Sequence, residues 1–230
     1  MSHNNSEREN LTKVKEAVLR SQQSVAGRDA LFLIARAFFE NKLDAAAKIL
    51  VVGAGWGDEI ISLGVPNPQW EFVGVDLSDE MLNLARSRFA AEKLPNKVEL
   101  HKTDVQDLKD ENFDAATCIL TLHFVPDDGA KLSMLRAIQK RLKRDAPFFL
   151  VDGVRETDEA EYQENLAAWK RHSVNNGMPI EMIDKFVENT MNLPIVTEQR
   201  ELELLQEAGF SGTRKVYQGI HVSGWLSVCK

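Results

Sequence analysis

The sequence predicts an α/β protein built on a doubly wound, mostly parallel sheet, and three observations predict it. The run Ile49-Leu50-Val51-Val52 ends in the glycine-rich turn Gly53-Ala54-Gly55-Trp56-Gly57. Apolar strand patterns then alternate with helical ones from Lys48 to Asp152, which implies parallel strands joined by crossovers. Two more strand-like runs, Gly209 to Tyr217 and Ile220 to Val228, close the chain.

Each element has a local reason. Leu11 to Arg20 and Arg28 to Asn41 read as helices, the second with Leu31, Ile34, Ala35 and Phe38 on one face. Lys48 to Val52 is a buried strand. The glycines that follow lack Cβ, so backbone can turn at positive φ and lie against a ligand. Ile60, Ile61 and Leu63 then recur at helical spacing. Trp70 to Asp76 is a second strand, and Ser78 caps the helix carrying Met81, Leu82 and Ala85. Lys97 to His101 and Phe113 to Leu120 are strands three and four. Asp128 to Leu142 is a helix and Pro147 to Val151 the fifth strand. Residues 155–195 interrupt the alternation with an amphipathic helix bearing Tyr162, Leu166 and Trp169, a break at Asn175-Asn176-Gly177, and a helix from Met182 to Asn192. Glu198 to Ala208 is the last helix, stopped by Gly209.

Bulk properties narrow the function. At 230 residues, 43% hydrophobic and 27% charged, the chain reads as one globular domain, 1–230. Within it, 9–45 forms a helical cap and 155–195 an insert. A net charge of −7 favours a small-molecule substrate over nucleic acid or an anionic membrane. The basic run Arg136, Lys140, Arg141, Lys143 and Arg144 reads as a solvated helix face. No apolar run reaches the length of a membrane span, and the polar first ten residues lack a secretion signal. Cys118 and Cys229 fall inside strands and read as buried thiols, which points to the cytoplasm. The five histidines show no ligand spacing, so no metal is expected.

The glycine spacing selects the cofactor. Dinucleotide sites usually read G-x-G-x-x-G, with a helix N-terminus aimed at a pyrophosphate. Here the spacing is G-x-G-x-G, and Asp58 stands in the first helical turn, where it would repel an anion. A phosphate-free cofactor fits better. Asp76, roughly 20 residues beyond the glycines, stands where an acid holds ribose hydroxyls.

In order and spacing, Gly53-Ala54-Gly55-Trp56-Gly57, Val75-Asp76-Leu77-Ser78, Thr103-Asp104-Val105 and Phe113-Asp114 through Phe124 resemble the motifs of class I S-adenosylmethionine (SAM) dependent methyltransferases over residues 48–152. The resemblance implies a seven-stranded sheet with an antiparallel C-terminal hairpin, SAM as cofactor and S-adenosylhomocysteine as product. It implies cofactor contacts from Gly53, Ala54, Gly55, Trp56, Gly57, Asp76, Leu77, Met81, Asp104, Val105, Leu120 and Thr121. Asp76 would hold the ribose, and Asp104 with Val105 the adenine. One position departs from the family pattern: the acid usual two residues before the first glycine is Val51 here, so the amino-acid end of SAM is either gripped differently or bound less tightly.

His123 follows strand four, near where the methyl group should sit, and is the candidate general base or wall residue. His172 and Tyr162 are weaker candidates for the same role, while His221 and Trp225 read as structural. The insert reads as a cover for the substrate, as ordinary packed structure, or as the contact surface of a homodimer. Methyl transfer to a small molecule leads the functional readings. The chain between strand five and the hairpin also resembles, more loosely, the carboxy-SAM synthase branch. There a basic residue grips an extra carboxylate, and Asp184 stands at that position here. A non-catalytic SAM-binding protein is the third reading. The glycine spacing and the hairpin disfavour a nicotinamide oxidoreductase.

Overall fold

The computed structural model describes residue 16 and residues 18–230. The frayed segment expected at 1–8 and most of the helix expected from Leu11 lie outside them. Residues 18–24 are helical. The elements that follow are α1 (Arg28–Glu40), β1 (Lys48–Val52), α2 (Asp58–Gly64), β2 (Glu71–Asp76), α3 (Asp79–Glu92), β3 (Val98–Lys102), β4 (Ala115–Ile119), α4 (Ala130–Arg141) and β5 (Pro147–Arg155). The insert holds α5 (Glu159–Asn175) and α6 (Ile180–Met191). Then come β6 (Val196–Thr197), α7 (Glu198–Glu207), β7 (Phe210–Gln218) and β8 (Val222–Cys229).

The main sheet runs in the order β3-β2-β1-β4-β5-β8-β7. β1 pairs in parallel with β2 on one side and β4 on the other, while β8 runs antiparallel to β5 and β7. The chain winds outward from β1 to β3, returns, and winds the other way from β4. The reversal between β1 and β4 opens a crevice at the carboxyl ends of those strands, where ligands of such sheets bind. Seven strands with a terminal hairpin match the expectation. Two features differ. β5 continues four residues past Val151 to Arg155, and the two-residue β6 pairs with that extension, Val154 against Val196. The extension's hydrogen-bonding edges are occupied by β8 and β6, so it remains strand where the sequence pattern reads as loop.

Helices cover both faces, as parallel strands require. Phe39, Leu31 and Ala35 of α1 and Ile60 and Leu63 of α2 pack with Ile49 and Val51 on one face. Leu135 and Ile138 of α4 and Leu204 and Leu205 of α7 pack with Leu50, Cys118 and Phe148 on the other. The insert has its own small core of Trp169, Met178, Ile183 and Val187. Arg141 departs from the solvated face expected for it. It is buried, and its guanidinium donates to the carbonyls of Leu108 at 2.5 Å and Ala137 at 2.8 Å, so it ties a loop to the helix end. No described helix is long and apolar enough to cross a membrane.

Candidate active site

A cavity of about 810 Å³ occupies the crevice. Its floor is the glycine turn. Gly53, Gly55 and Gly57 have φ of 74°, 51° and 87°. A Cβ on Gly53 would stand 1.9 Å from the Thr121 hydroxyl oxygen, and one on Gly57 would stand 2.4 Å from the Phe89 ring. These two positions accept only glycine. A Cβ on Gly55 would meet only the Gly53 carbonyl, at 3.8 Å, which leaves a flat open floor beneath a ligand.

Asp76 ends β2 and braces this floor. One carboxylate oxygen accepts the Gly55 N–H at 2.8 Å and the other accepts the Ser78 N–H at 2.8 Å. Each oxygen keeps a second acceptor position, so Asp76 can hold the loop and a diol together. Ser78 caps α3 by accepting the Met81 N–H at 3.2 Å. Asp104 accepts the Gln106 N–H at 2.8 Å and opens the short turn that buries Val105. All the residues assigned to the cofactor except Gly57 line the cavity; Gly57 sits just behind, shaping the turn.

The charge at the turn is not that of a lone acid. Asp58 pairs with Arg28 at 2.8 Å and with Arg88 at 2.6 Å, and Arg88 also lies over the Trp56 ring at 4.1 Å. Two guanidinium groups therefore neutralise the carboxylate that the sequence leaves unpaired.

β4 is followed by Leu120, whose φ of 54° is unusual for a side-chain-bearing residue. Its N–H donates to Val151 at 2.8 Å, which holds it there. Such local strain is characteristic of functional edges. The turn that follows delivers His123 to the cavity wall. His123 Nδ1 lies 2.5 Å from a carboxylate oxygen of Asp152, a residue of β5 with no exposed surface. Lys131, also fully buried, donates to the Leu122 carbonyl at 2.7 Å and fixes this turn from behind. Glu201 is buried nearby with neither oxygen hydrogen-bonded. Burial, reinforced by the Asp152 charge and opposed by Lys131, pushes its carboxyl up to about 8.

The remaining walls come from the helical stretch before α1 and from the insert. Val18, Ser21 and Val25 line one side, and Phe186, Met191, Leu193 and Ile195 the other. The two walls meet where the Trp169 indole donates to the Ser24 carbonyl at 2.9 Å.

Three assignments change. His221 read as structural, yet it borders this cavity, with Nδ1 2.9 Å from Glu156 and its ring edge against Trp169. The β5 extension carries Glu156 there, so the missed strand is also why the histidine was missed. Tyr162 lines a separate cavity of about 300 Å³ with Arg155 and Glu156. His172 lines neither cavity and meets only Asn176, one turn along its own helix. Trp225 is buried in the core, as expected. Asp184 is 83% exposed and pairs with Lys170. No basic side chain of the insert lines the main cavity. Among the described residues no group of three or more His, Cys, Asp or Glu could hold a metal.

Residues 50–148 match the family model described as a methyltransferase domain. No curated protein matches the chain. Among solved structures, one from Bordetella parapertussis described as a possible exported protein superposes with a TM-score of 0.66 at 19% identity, covering 88% of this chain and 68% of that one. A SAM-dependent methyltransferase from Aquifex aeolicus gives 0.64 at 19% identity, covering 96% and 98%. The magnesium protoporphyrin IX methyltransferase of Synechocystis PCC 6803, with bound S-adenosylhomocysteine, gives 0.62 at 15% identity, covering 89% and 84%. The methyltransferase-domain match takes in residues 50–148, and the architecture around it is the fold that these SAM-dependent methyltransferase structures share. The finer resemblance to the carboxy-SAM synthase branch gains no support from these likenesses.

Proposed function

We propose that this protein transfers the methyl group of SAM to a hydroxyl of a small, largely apolar molecule. The observation that carries the reading is the His123–Asp152 pair on the wall of a cavity floored by the glycine turn. The residues fit the cofactor: the floor at Gly55 is open, and Asp76 and Asp104 keep free acceptor positions along it. SAM, when bound there, supplies a methyl group already activated on a sulfonium. The chain's own work is alignment, exclusion of water and management of one proton.

Asp152 accepts the Nδ1 proton of neutral His123, which leaves Nε2 as the basic nitrogen of the ring. The acceptor hydroxyl would give its proton to Nε2 as its oxygen takes the methyl group, the methyl–sulfur bond breaking to leave neutral S-adenosylhomocysteine. The buried carboxylate stabilises the imidazolium that results. The apolar walls, from Phe32 and Phe124 to Ile195, suit a molecule with little charge. The cysteines are buried and unpaired, which supports a reducing compartment, and we assign the cytoplasm.

The test is a panel of hydroxylated small molecules with methyl-labelled SAM, together with mass spectrometry of any ligand that co-purifies. Label appearing on an acceptor oxygen supports the reading. Binding of S-adenosylhomocysteine with no transfer to any acceptor would favour a non-catalytic SAM-binding protein.

A further inference from the structure

Val51, where a family acid is usual, is fully buried in the core and does not line the main cavity. The neighbouring residues show what replaces it. Glu59, two residues past the glycine turn, is only 6% exposed, yet it lines the cavity. Its Oε1 is buried without a hydrogen-bond partner. It stands by Thr117, the residue of β4 in register with Val51. Arg28 of α1 lines the same end of the cavity, 13% exposed, and its Nε is likewise buried with no partner. A buried carboxylate oxygen and a buried guanidinium nitrogen, each without a partner and both on residues that line one pocket, are costly unless a ligand meets them. A ligand carrying one positive and one negative group satisfies both. An α-amino acid in its zwitterionic form is such a ligand.

Resting on the methyltransferase reading above, we infer that Glu59 and Arg28 form the receptor for the amino-acid end of SAM, with Glu59 accepting from the ammonium and Arg28 donating to the carboxylate. The acid has moved from the end of β1 to the first turn of α2, and it reaches the same level of the sheet by leaning on Thr117.

The receptor is linked to protons. Burial pushes Glu59 up to about 7, with the Thr117 hydroxyl and the Arg28 charge opposing. The other charged and titratable groups around it are Asp58 on its own helix, Arg88 on α3 and Cys118 on β4. Burial holds the Cys118 thiol protonated, and Glu59 is the carboxyl that burial lifts into the neutral range. An ammonium beside it favours the carboxylate. Binding should therefore expel a proton near pH 6.5.

The test compares S-adenosylhomocysteine with 5′-methylthioadenosine, which has the nucleoside and the thioether but no amino-acid end. Calorimetry of the wild type at pH 6.5, in buffers of different ionisation enthalpy, should show proton release with the first ligand and none with the second. Glu59→Gln should weaken S-adenosylhomocysteine at least tenfold and leave 5′-methylthioadenosine within twofold. Affinity of the wild type for S-adenosylhomocysteine should fall as pH drops from 8 to 6, and that of Glu59→Gln should not. Equal losses for both ligands, or no loss for either, would overturn the receptor, as would equal proton release. The wild-type proton count decides the matter even if the variant fails to fold. Failure of both ligands to bind the wild type would instead bring down the methyltransferase reading, and the receptor with it.

Discussion

The two ends of the cavity are built differently. At the end proposed for the nucleoside, Gly53, Gly55, Asp76 and Asp104 come from consecutive strand ends, and backbone geometry does most of the shaping. At the end proposed for the acceptor, His123, Asp152, Trp169 and His221 come from four separate segments, and side chains hold one another. The first end needs positive φ and short hydrogen bonds. The second needs buried charge: Asp152, Lys131 and Glu201 have no exposed surface at all. A site for an invariant cofactor can be fixed by a turn. A site for a particular acceptor is shaped by whatever the later chain brings to the crevice. The difference can be tested at each end, beginning with the step on which turnover depends.

The largest effect is expected at the acceptor end. His123→Gln removes the proton acceptor, and Asp152→Asn removes the partner that fixes its tautomer. Either should lower kcat by a hundredfold or more, within the 10²–10⁴ range for loss of a general base. The binding of S-adenosylhomocysteine should be unchanged. If both variants keep the wild-type rate and pH profile, the acceptor end works by shape alone and the proposed proton transfer is wrong.

At the nucleoside end the expected loss is smaller and falls on binding. Asp76→Ala removes the brace on Gly55 as well as the diol acceptor. It should cost about 2 kcal/mol, roughly thirtyfold in affinity for S-adenosylhomocysteine by calorimetry. An unchanged affinity would show that the glycine floor holds the nucleoside without it.

The same contrast explains what could be read from the sequence. Strand, turn and acid at Val52, Gly53–Gly57 and Asp76 follow one another closely, and their roles depend on local conformation. Residue type and spacing were enough to place them at one edge of the sheet. His123 was visible for the same reason, since it follows β4 by four residues. Asp152 was not, because its role is to face a histidine from the next strand. Glu156 and His221 were hidden further, because their meeting depends on how far β5 runs before the insert. Arg28 and Glu59 looked like ordinary helix residues, and only burial shows them to be unsatisfied. Pairings made across the fold leave no periodic signal in the chain.

The buried charge of the acceptor end should be measurable as stability. Burial and the Asp152 charge disfavour the ionised form of Glu201 and push its carboxyl up to about 8 from the ordinary 4.5. Between those limits the native state keeps a proton that the unfolded chain releases. Stability therefore falls as pH rises through the window, and the loss is complete above about pH 8. Glu201→Gln removes this titration. By urea denaturation it should be more stable than the wild type at pH 9 by on the order of 1–2 kcal/mol, with the gap closing at pH 5. A gap that does not vary with pH would mean that Glu201 is not the group responsible.

The smallest effect should appear where the two ends meet. The Trp169 indole donates to Ser24, so one hydrogen bond joins the insert to the helical stretch before α1 across the top of the cavity. Trp169→Phe keeps an aromatic ring against His221 and removes the donor. The loss should be about 1 kcal/mol, a severalfold shift in local opening. Hydrogen exchange in residues 18–24 should quicken by that factor, while the glycine turn keeps its protection. In the wild type, S-adenosylhomocysteine should slow exchange in both the insert and residues 18–24, because both line the cavity. In Trp169→Phe the ligand should still protect the glycine turn, with the covering segments left less protected than in the wild type. Equal protection of those segments in both proteins would mean that the cofactor alone orders the cover. The two ends would then be coupled through the ligand and not through the protein.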